Sequence, residues 1–414
     1  MSTLFVTATW PDPLGSFTHG VAQRMRLLLR GLQRADPVLD LLAYAPWNQP
    51  PDRQAAERIR HDMAELWGVQ LRHVSVAPSC PVPDRQDSLW HGYLRPMTSL
   101  HHQPSYARLN GAGPALALRA ALAGSAPQRL FVHRLTAMSA LFSLGLRHAP
   151  APLLDLDDIE HRAFERLIAM PPHWRAKRLL RGWLPALRHG EARALRASAL
   201  ALVCSESDRQ YLDRLWQLPQ LAVLPNALPV PTPSPLPQAK TALFLGMHSY
   251  EPNRVGAEYL VHEVWPLVHA RHPDATLVVA GKACERVRGH DAPPPGVRFE
   301  GFVPDLQALY ARTRVVCCPI LSGGGTRIKI IEGAMQARPI VSTPIGAEGL
   351  DFDPGRGEIT LADTPSAFAD GLNALFDDRP AGIAQEMGRR ARDQAVGRYG
   401  EERVLNIFLG LLKP

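Results

Sequence analysis

The chain has 414 residues, 46% apolar and 21% charged, which excludes a disordered or fibrous protein and exceeds one ordinary core, so two domains are expected. A net charge of +7 and an isoelectric point near 9.4 favour anionic partners, nucleotides and lipid headgroups among them, without choosing one. No run of about 18 uncharged apolar residues occurs and Met1 to Trp10 reads as a first strand, not a signal peptide, so a cytoplasmic protein is expected.

Leu4 to Thr7 predicts a short strand, Pro11 to Gly20 a glycine-bearing loop, Val21 to Arg34 a helix and Val38 to Tyr44 the next strand. This alternation predicts a parallel α/β sheet with ligands at the carboxyl ends of its strands. Gly15 to Gly20 is then either one wall of a site or a solvent loop with glycine turns. Gln54 to Trp67 reads as a helix, Gln70 to Val76 as a strand and Pro78 to Pro83 as a loop. Arg129 to His133 is a strand ending in a histidine and Arg134. Pro152 to Asp158 is another, ending in Asp155, Asp157 and Asp158. Acids so crowded need partners; they cap a following helix, Ile159 to Met170, or meet a substrate.

Between Pro171 and Ser198, Arg175, Lys177, Arg178, Arg181, Arg188, Arg193 and Arg196 face only Glu191, with Trp174 and Trp183 interleaved. Such a stretch is a solvated helix face or a helix lying on an anionic bilayer. Ala199 to Cys204 reads as the last strand of this half, with Ser205 capping the next helix. Cys80, Cys204, Cys284, Cys317 and Cys318 lack metal-type spacing and read as buried thiols.

Prolines alternate from Pro229 to Pro237, which demands an extended linker. Beyond it the alternation restarts, with strands at Ala242 to Leu245, Ala275 to Ala280, Val297 to Phe299, Val315 to Cys318 and Pro339 to Ser342. Helices are predicted at Val255 to Arg271, Leu306 to Ala311 and Arg327 to Gln336, and the tail from Ile383 to Leu412 is largely helical. The densest chemistry is Pro319 to Met335: a strand end, Gly323, Gly324 and Gly325, then Thr326, Arg327, Lys329 and Glu332 on a helix start. Glycines let a ligand approach the main chain, and a helix start attracts an anion such as phosphate. Arg327 and Lys329 oppose the dipole there, which points to a ligand, and Glu332 shares a helical face with Gly325 and Lys329, where it accepts from sugar hydroxyls or simply pairs with Lys329. The stretch is neither a Walker loop nor a dinucleotide fingerprint.

Pro225-Asn226-Ala227, Leu245-Gly246 with Pro252-Asn253, Leu277 to Lys282, Gly301 to Asp305, Gly323 to Glu332 and Pro339 to Thr343 together resemble family-4 retaining glycosyltransferases of the GT-B fold, in their glycine-rich subtype. The resemblance spans most of Asn226 to Leu350. It implies an α/β protein of two Rossmann-like parallel-sheet domains facing each other across a cleft: residues 1–227 for the acceptor, a linker at 228–239, residues 240–395 for a nucleoside-diphosphate sugar, and a helical tail, 396–414, packing back on the first domain. It further implies that Glu332 holds the donor ribose, Gly325 to Arg327 the diphosphate together with Gly323, Gly324 and Gly246, Gly20 closes over it, and Val303 lines the base pocket.

The sequence departs from that family in three places. Gly324 replaces the motif's first glutamate, as in the glycine-rich subtype; Met247 follows Gly246 where an arginine is usual; Asp157 stands where a histidine is usual. Arg327 and Lys329 are accordingly expected to neutralise the diphosphate, with Asp157 or His133 acting at the acceptor. The resemblance implies hexosyl transfer to a polysaccharide, lipid-linked or other cell-envelope acceptor, without cofactor or metal and without nucleic acid as partner. The 171–198 stretch allows peripheral contact with an anionic membrane. The other reading is a glycosyltransferase-like protein that binds nucleotide sugar or a partner enzyme without turnover.

Overall fold

The computed structural model describes residues 1–14, 20–46, 49–79, 109, 111–170, 180–378 and 381–413. The chain divides into two compact units, Met1–Pro225 with Leu405–Pro414, and Asn226–Val404.

The first unit holds a seven-stranded sheet in the order β3-β2-β1-β4-β5-β6-β7, every pairing parallel. Its strands are β1 Ser2–Thr7, β2 Val38–Ala45, β3 His73–Pro78, β4 Arg129–His133, β5 Leu153–Asp155, β6 Leu200–Val203 and β7 Leu221–Val223. β1, β2 and β4 are buried over nearly their whole length, as continuous apolar runs covered by helices on both faces must be. β6 is not the last strand: β7 adds an edge beyond it, three residues whose side chains are half-buried. Phe408, near the end of the helix Glu401–Leu411, meets Phe131 of β4 edge-on at 6.0 Å.

Ser205 caps the helix Glu206–Trp216 as predicted, its side chain accepting from the Asp208 amide. The N-cap of the helix Glu160–Ala169 is Ile159, whose side chain offers no capping oxygen. That work falls to Glu191, whose buried carboxylate accepts from the Glu160 amide at 3.0 Å and bonds His161 Nδ1. Burial pushes the Glu191 carboxyl up to about 8. The lone acid among the cations of 171–198 is therefore interior. Arg193, on the helix Leu184–Ala197, stacks on Phe142, 4.1 Å from its ring centre, and Trp183, the N-cap of that helix, stacks on Phe164, so both groups are used for packing. Residues 171–179 lie outside the described residues, as does Cys80; the other four cysteines are free and buried. Among the described residues no helix is long and apolar enough to cross a membrane.

The second unit holds a six-stranded sheet, order β10-β9-β8-β11-β12-β13, again all parallel. Its strands are β8 Thr241–Leu245, β9 Thr276–Ala280, β10 Val297–Glu300, β11 Val315–Cys318, β12 Ile340–Ser342 and β13 Thr360–Leu361. The helix predicted from Val255 starts earlier, at Glu251, and is interrupted by a π turn, Leu260–Val264, before resuming at Trp265–Arg271. Pro266 explains the interruption, since it donates no N–H and its ring displaces the preceding carbonyl. The proline-rich segment belongs to this unit and is strapped to it by side chains. Arg338 donates to the Ser234 and Pro235 carbonyls (3.1 and 3.2 Å), Arg314 to that of Pro237 (2.8 Å) and Arg392 to that of Pro231 (2.9 Å). These side-chain donors satisfy main-chain carbonyls of the extended segment.

Candidate functional site

In an open parallel sheet the chain leaves a crevice where strand order reverses, at the carboxyl ends of the strands on either side. In the second unit the reversal lies between β8 and β11. β8 runs into Gly246 and β11 into the glycine loop, so the topology brings these two sequence features together.

The loop's shape depends on glycine. Gly323 and Gly325 have φ of +98° and +68°, a left-handed region that side chains occupy at a cost of about 1–2 kcal/mol. A Cβ at Gly323 would also stand 3.1 Å from Tyr250 Oη. Arg327 folds back on the loop: Nη1 donates to the Gly325 carbonyl at 2.8 Å and to that of Gly324, and Nη2 to that of Ser322 at 3.3 Å. Its guanidinium thus braces the turn, while its Nε is buried without a hydrogen-bond partner. Thr326 Oγ1 accepts from Asn226 Nδ2 at 2.7 Å.

The helix Ile328–Met335 follows, Arg327 being its N-cap rather than part of its first turn. The cap supplies no side-chain oxygen and the first turn carries no acid, so nothing from the helix itself satisfies its positive end. Ile330, Ile331, Ala334 and Met335 bury one face, which fixes the rotation of the opposite one.

On that opposite face Lys329 and Glu332 are half-buried, but they do not pair with each other. Lys329 Nζ donates to Asn253 Oδ1 at 2.7 Å and sits 4.3 Å from the centre of the Phe244 ring. It also lies 3.1 Å from where a Cβ on Gly246 would stand, so any larger residue there would displace it. Desolvation brings the Lys329 ammonium down to about 8, with Arg327 adding to the effect and Cys318 and Glu332 opposing it. Glu332 Oε2 accepts from the buried Tyr310 hydroxyl at 3.4 Å. Burial pushes the Glu332 carboxyl up to about 7, against the Tyr310 hydrogen bond and the Lys329 charge. A cation and a carboxylate, both uneasily desolvated, project beside a helix start that favours an anion.

The remaining residues expected in the donor site are placed more loosely. Val303 follows β10 at the sheet edge, half-buried against the core. Beside it Phe302 is 52% exposed with Lys282 Nζ 5.0 Å from its ring centre. Gly20 opens the helix Gly20–Ala35 of the first unit, and residues 15–19 lie outside the described residues.

In the first unit the reversal falls between β1 and β4. Here His133 is fully buried, its Nδ1 3.0 Å from Thr7 Oγ1 and its Nε2 without a hydrogen-bond partner. Burial, with Arg134 and Arg24 nearby, holds its pKa well below the usual imidazole value. Asp155 is buried in a bidentate pair with Arg24 at 2.5–2.9 Å. Asp157 is partly exposed: its side chain is 14% exposed, 3.4 Å from Arg134 Nε. Both Arg134 and Asp157 have positive φ, +67° and +62°, on adjacent strand ends. Non-glycine residues seldom hold that conformation.

Sequence reasoning gave no role to Asn253, Tyr310, Phe244 or His248. Asn253 stands in a motif quoted above, but its contact with Lys329 spans 76 residues of chain and leaves no local trace. His248 is buried with Nε2 on the Ala280 carbonyl at 3.2 Å, and desolvation takes it down to about 4. Among the described residues no group of three His, Cys, Asp or Glu is placed to hold a metal ion.

Residues 239–378 match the family model described as Glycosyl transferases group 1. An uncharacterized 44.6 kDa protein in the cps region of Klebsiella pneumoniae is 26% identical over 135 residues, 31% of this chain and 34% of that relative, so the match spans about a third of it. The sucrose-phosphate synthase of Thermosynechococcus elongatus superposes with a TM-score of 0.69 at 14% identity, covering 99% of this chain and 98% of that one. Anabaena HepE, solved with UDP and glucose, gives 0.62 at 14% identity, covering 100% and 99%. S. aureus TarM, solved with fondaparinux, alpha-GlcNAc-glycerol and UDP, gives 0.57 at 13% identity, covering 72% of this chain and 59% of TarM. The chain is therefore an α/β protein of the GT-B fold whose second unit matches the Glycosyl transferases group 1 model over residues 239–378.

Proposed function

We propose that the chain is a retaining glycosyltransferase of family 4 that moves a hexosyl group from a nucleoside-diphosphate sugar to a carbohydrate, polysaccharide or lipid-linked acceptor of the cell envelope. The observation that carries this reading is the desolvated Lys329 ammonium beside the uncapped start of the helix Ile328–Met335, at the strand-order reversal of the glycosyltransferase domain. Breaking the bond between sugar and phosphate leaves negative charge on the diphosphate and an oxocarbenium-like sugar. Groups already aimed at the developing charge stabilise it without reorganising. In this reading the amides from Gly323 to Arg327 and the Lys329 ammonium receive the diphosphate. Arg327, bonded to the loop's carbonyls, adds its charge from behind. No metal is needed, because a lysine and a helix dipole supply the positive charge.

Glu332, one turn along, accepts hydrogen bonds from the ribose, and the neighbourhood of Val303 takes the base. Bond making follows on the face the diphosphate leaves: the acceptor oxygen bonds to the anomeric carbon as the sugar–oxygen bond to phosphate breaks. The acceptor's proton passes to the departing phosphate oxygen. At the acceptor, Asp157 is better placed than His133 to touch substrate, because His133 has no exposed surface. Solved relatives that contain UDP support the donor class. A cytoplasmic location, with the basic 171–198 stretch against the inner membrane face, belongs to the same proposal.

A panel of uridine, guanosine, adenosine and thymidine diphosphates, read by thermal shift, tests the reading. One of them raises the melting temperature, because a ligand of the native state stabilises it by mass action; its sugar conjugate is then consumed in the presence of acceptor. Binding with no donor consumed would move the chain to the non-catalytic reading, which Gly324, Met247 and Asp157 favour. Absence of any shift would overturn the donor site itself.

A further inference from the structure

Asn253 lies in the first turns of the helix Glu251–Tyr259 and is half-buried beside Gly246. Both ends of its amide are used. Nδ2 donates to the Met247 carbonyl at 3.0 Å and Oδ1 accepts from Lys329 Nζ at 2.7 Å. The first bond settles which way the amide points, so the oxygen is committed to the ammonium. Met247, at the position after Gly246, carries no charge and is 39% exposed, and Arg254 pairs with Glu258 at 2.9 Å. The cation beside the end of β8 thus comes from another helix, 76 residues on, and a neutral amide holds it there.

We propose that Asn253 is a positioning residue for Lys329, holding its ammonium over Gly246 and keeping it protonated for the diphosphate of the donor. The inference rests on the donor-site reading above. A neutral acceptor suits this task better than a carboxylate, because it orients the cation without cancelling the charge that the phosphates meet. Besides Asn253, the groups facing Lys329 are Arg327 and Glu332 from its own loop and helix, Cys318 at the end of β11 and His248 in the loop after β8. The Phe244 ring face covers it from β8. Of these, Glu332 and Cys318 favour the ammonium and Arg327 opposes it, while desolvation, the largest effect, drives it toward neutrality at about 8. Loss of the Asn253 oxygen removes a hydrogen bond made to the charged form, which lowers the midpoint further.

The test follows the Lys329 ammonium by NMR in lysine-labelled protein, assigned by its disappearance in Lys329→Arg, alongside calorimetric titration with UDP and with uridine as the phosphate-free control. The wild-type midpoint should lie near 8. Asn253→Ala should move it down and Asn253→Asp up, with folding of each checked by melting temperature; a purely structural residue would not give opposite shifts. If Asn253→Ala lowers the midpoint by about one unit, the charged fraction at pH 8 falls from about a half to about a tenth, and UDP affinity falls about fivefold. At pH 7 the deficit shrinks to about twofold, and uridine is unaffected. Asn253→Asp should bind UDP more weakly at pH 7, with a smaller further loss between pH 7 and pH 9 than the wild type shows. Midpoints unmoved by both substitutions overturn the role of Asn253 and leave the donor site standing. Shifted midpoints with UDP binding indifferent to pH and to Lys329 overturn the donor-site reading instead. The lysine titration needs no ligand, so it decides on Asn253 by itself.

Discussion

Replacing Glu332 with glutamine is expected to stabilise the unliganded second unit while weakening its hold on ribose. In the folded chain the Glu332 carboxyl sits at about 7, against an ordinary 4.5, chiefly because it is desolvated. Between those values the folded state binds more protons than the unfolded state, so stability falls as pH rises from about 4.5 to 7, and above 7 the whole penalty is present. That difference corresponds to roughly 3 kcal/mol at 1.36 kcal/mol per pKa unit, and about 1.5–2 kcal/mol after allowing for the solvent that reaches a half-buried group. Glutamine removes the charge and keeps an oxygen for the Tyr310 hydroxyl, so no buried donor is orphaned. For a unit of this size the gain is a rise of about 3–8 °C in melting temperature at pH 8.5, shrinking toward zero near pH 4.5. The assay is thermal and urea unfolding of both proteins across that range, followed by titration with uridine, which glutamine should bind less well. Equal stability at pH 8.5, or a gain of the same size at every pH, would refute the reasoning.

Four other outcomes are expected. Lys329→Ala should weaken a bound nucleoside diphosphate on the order of tenfold or more, the worth of one charge-assisted hydrogen bond, with uridine unaffected in calorimetry. In the wild type the same affinity should fall as pH rises through about 8, where the folded lysine loses its proton. Arg24→Ala should cost the first unit about 3–5 kcal/mol in chemical denaturation, because it strands the buried Asp155 carboxylate; a cost under 1 kcal/mol would mean water reaches that pair. Gly323→Ala should lower diphosphate affinity and cost about 1–3 kcal/mol, since φ there is +98° and Tyr250 leaves little room; an unchanged affinity would show that the loop's shape does not matter to the ligand.

The architecture was legible wherever burial on both faces writes a continuous apolar run. β1, β2, β4 and β11 are such runs, and the glycines and prolines between them mark where strands end. Among the helices that escaped notice, Ala112–Ser125 and Leu135–Leu144 are apolar nearly all round and show no 3.6-residue contrast. β7 and β13 were missed for the opposite reason: they are edge strands of three and two residues, too short to carry a pattern. Within the site, Lys329 and Glu332 could be placed on one face because helical spacing fixes it. Their partners could not, since Asn253 and Tyr310 meet them through tertiary packing and the local rule had favoured pairing them with each other. The acids around the end of β5 left two readings open, caps or a substrate role, and the carboxylate that meets the Glu160 amide, Glu191, could not be found locally because it comes from 31 residues downstream.

The most direct test of the donor site is a crystal structure of the chain with a nucleoside diphosphate bound. The account predicts phosphate oxygens within about 3 Å of main-chain N–H groups at the start of the helix Ile328–Met335 and of Lys329 Nζ, at hydrogen-bond length, with Glu332 on the ribose. A diphosphate seated elsewhere, with Lys329 still bonded only to Asn253, would contradict it.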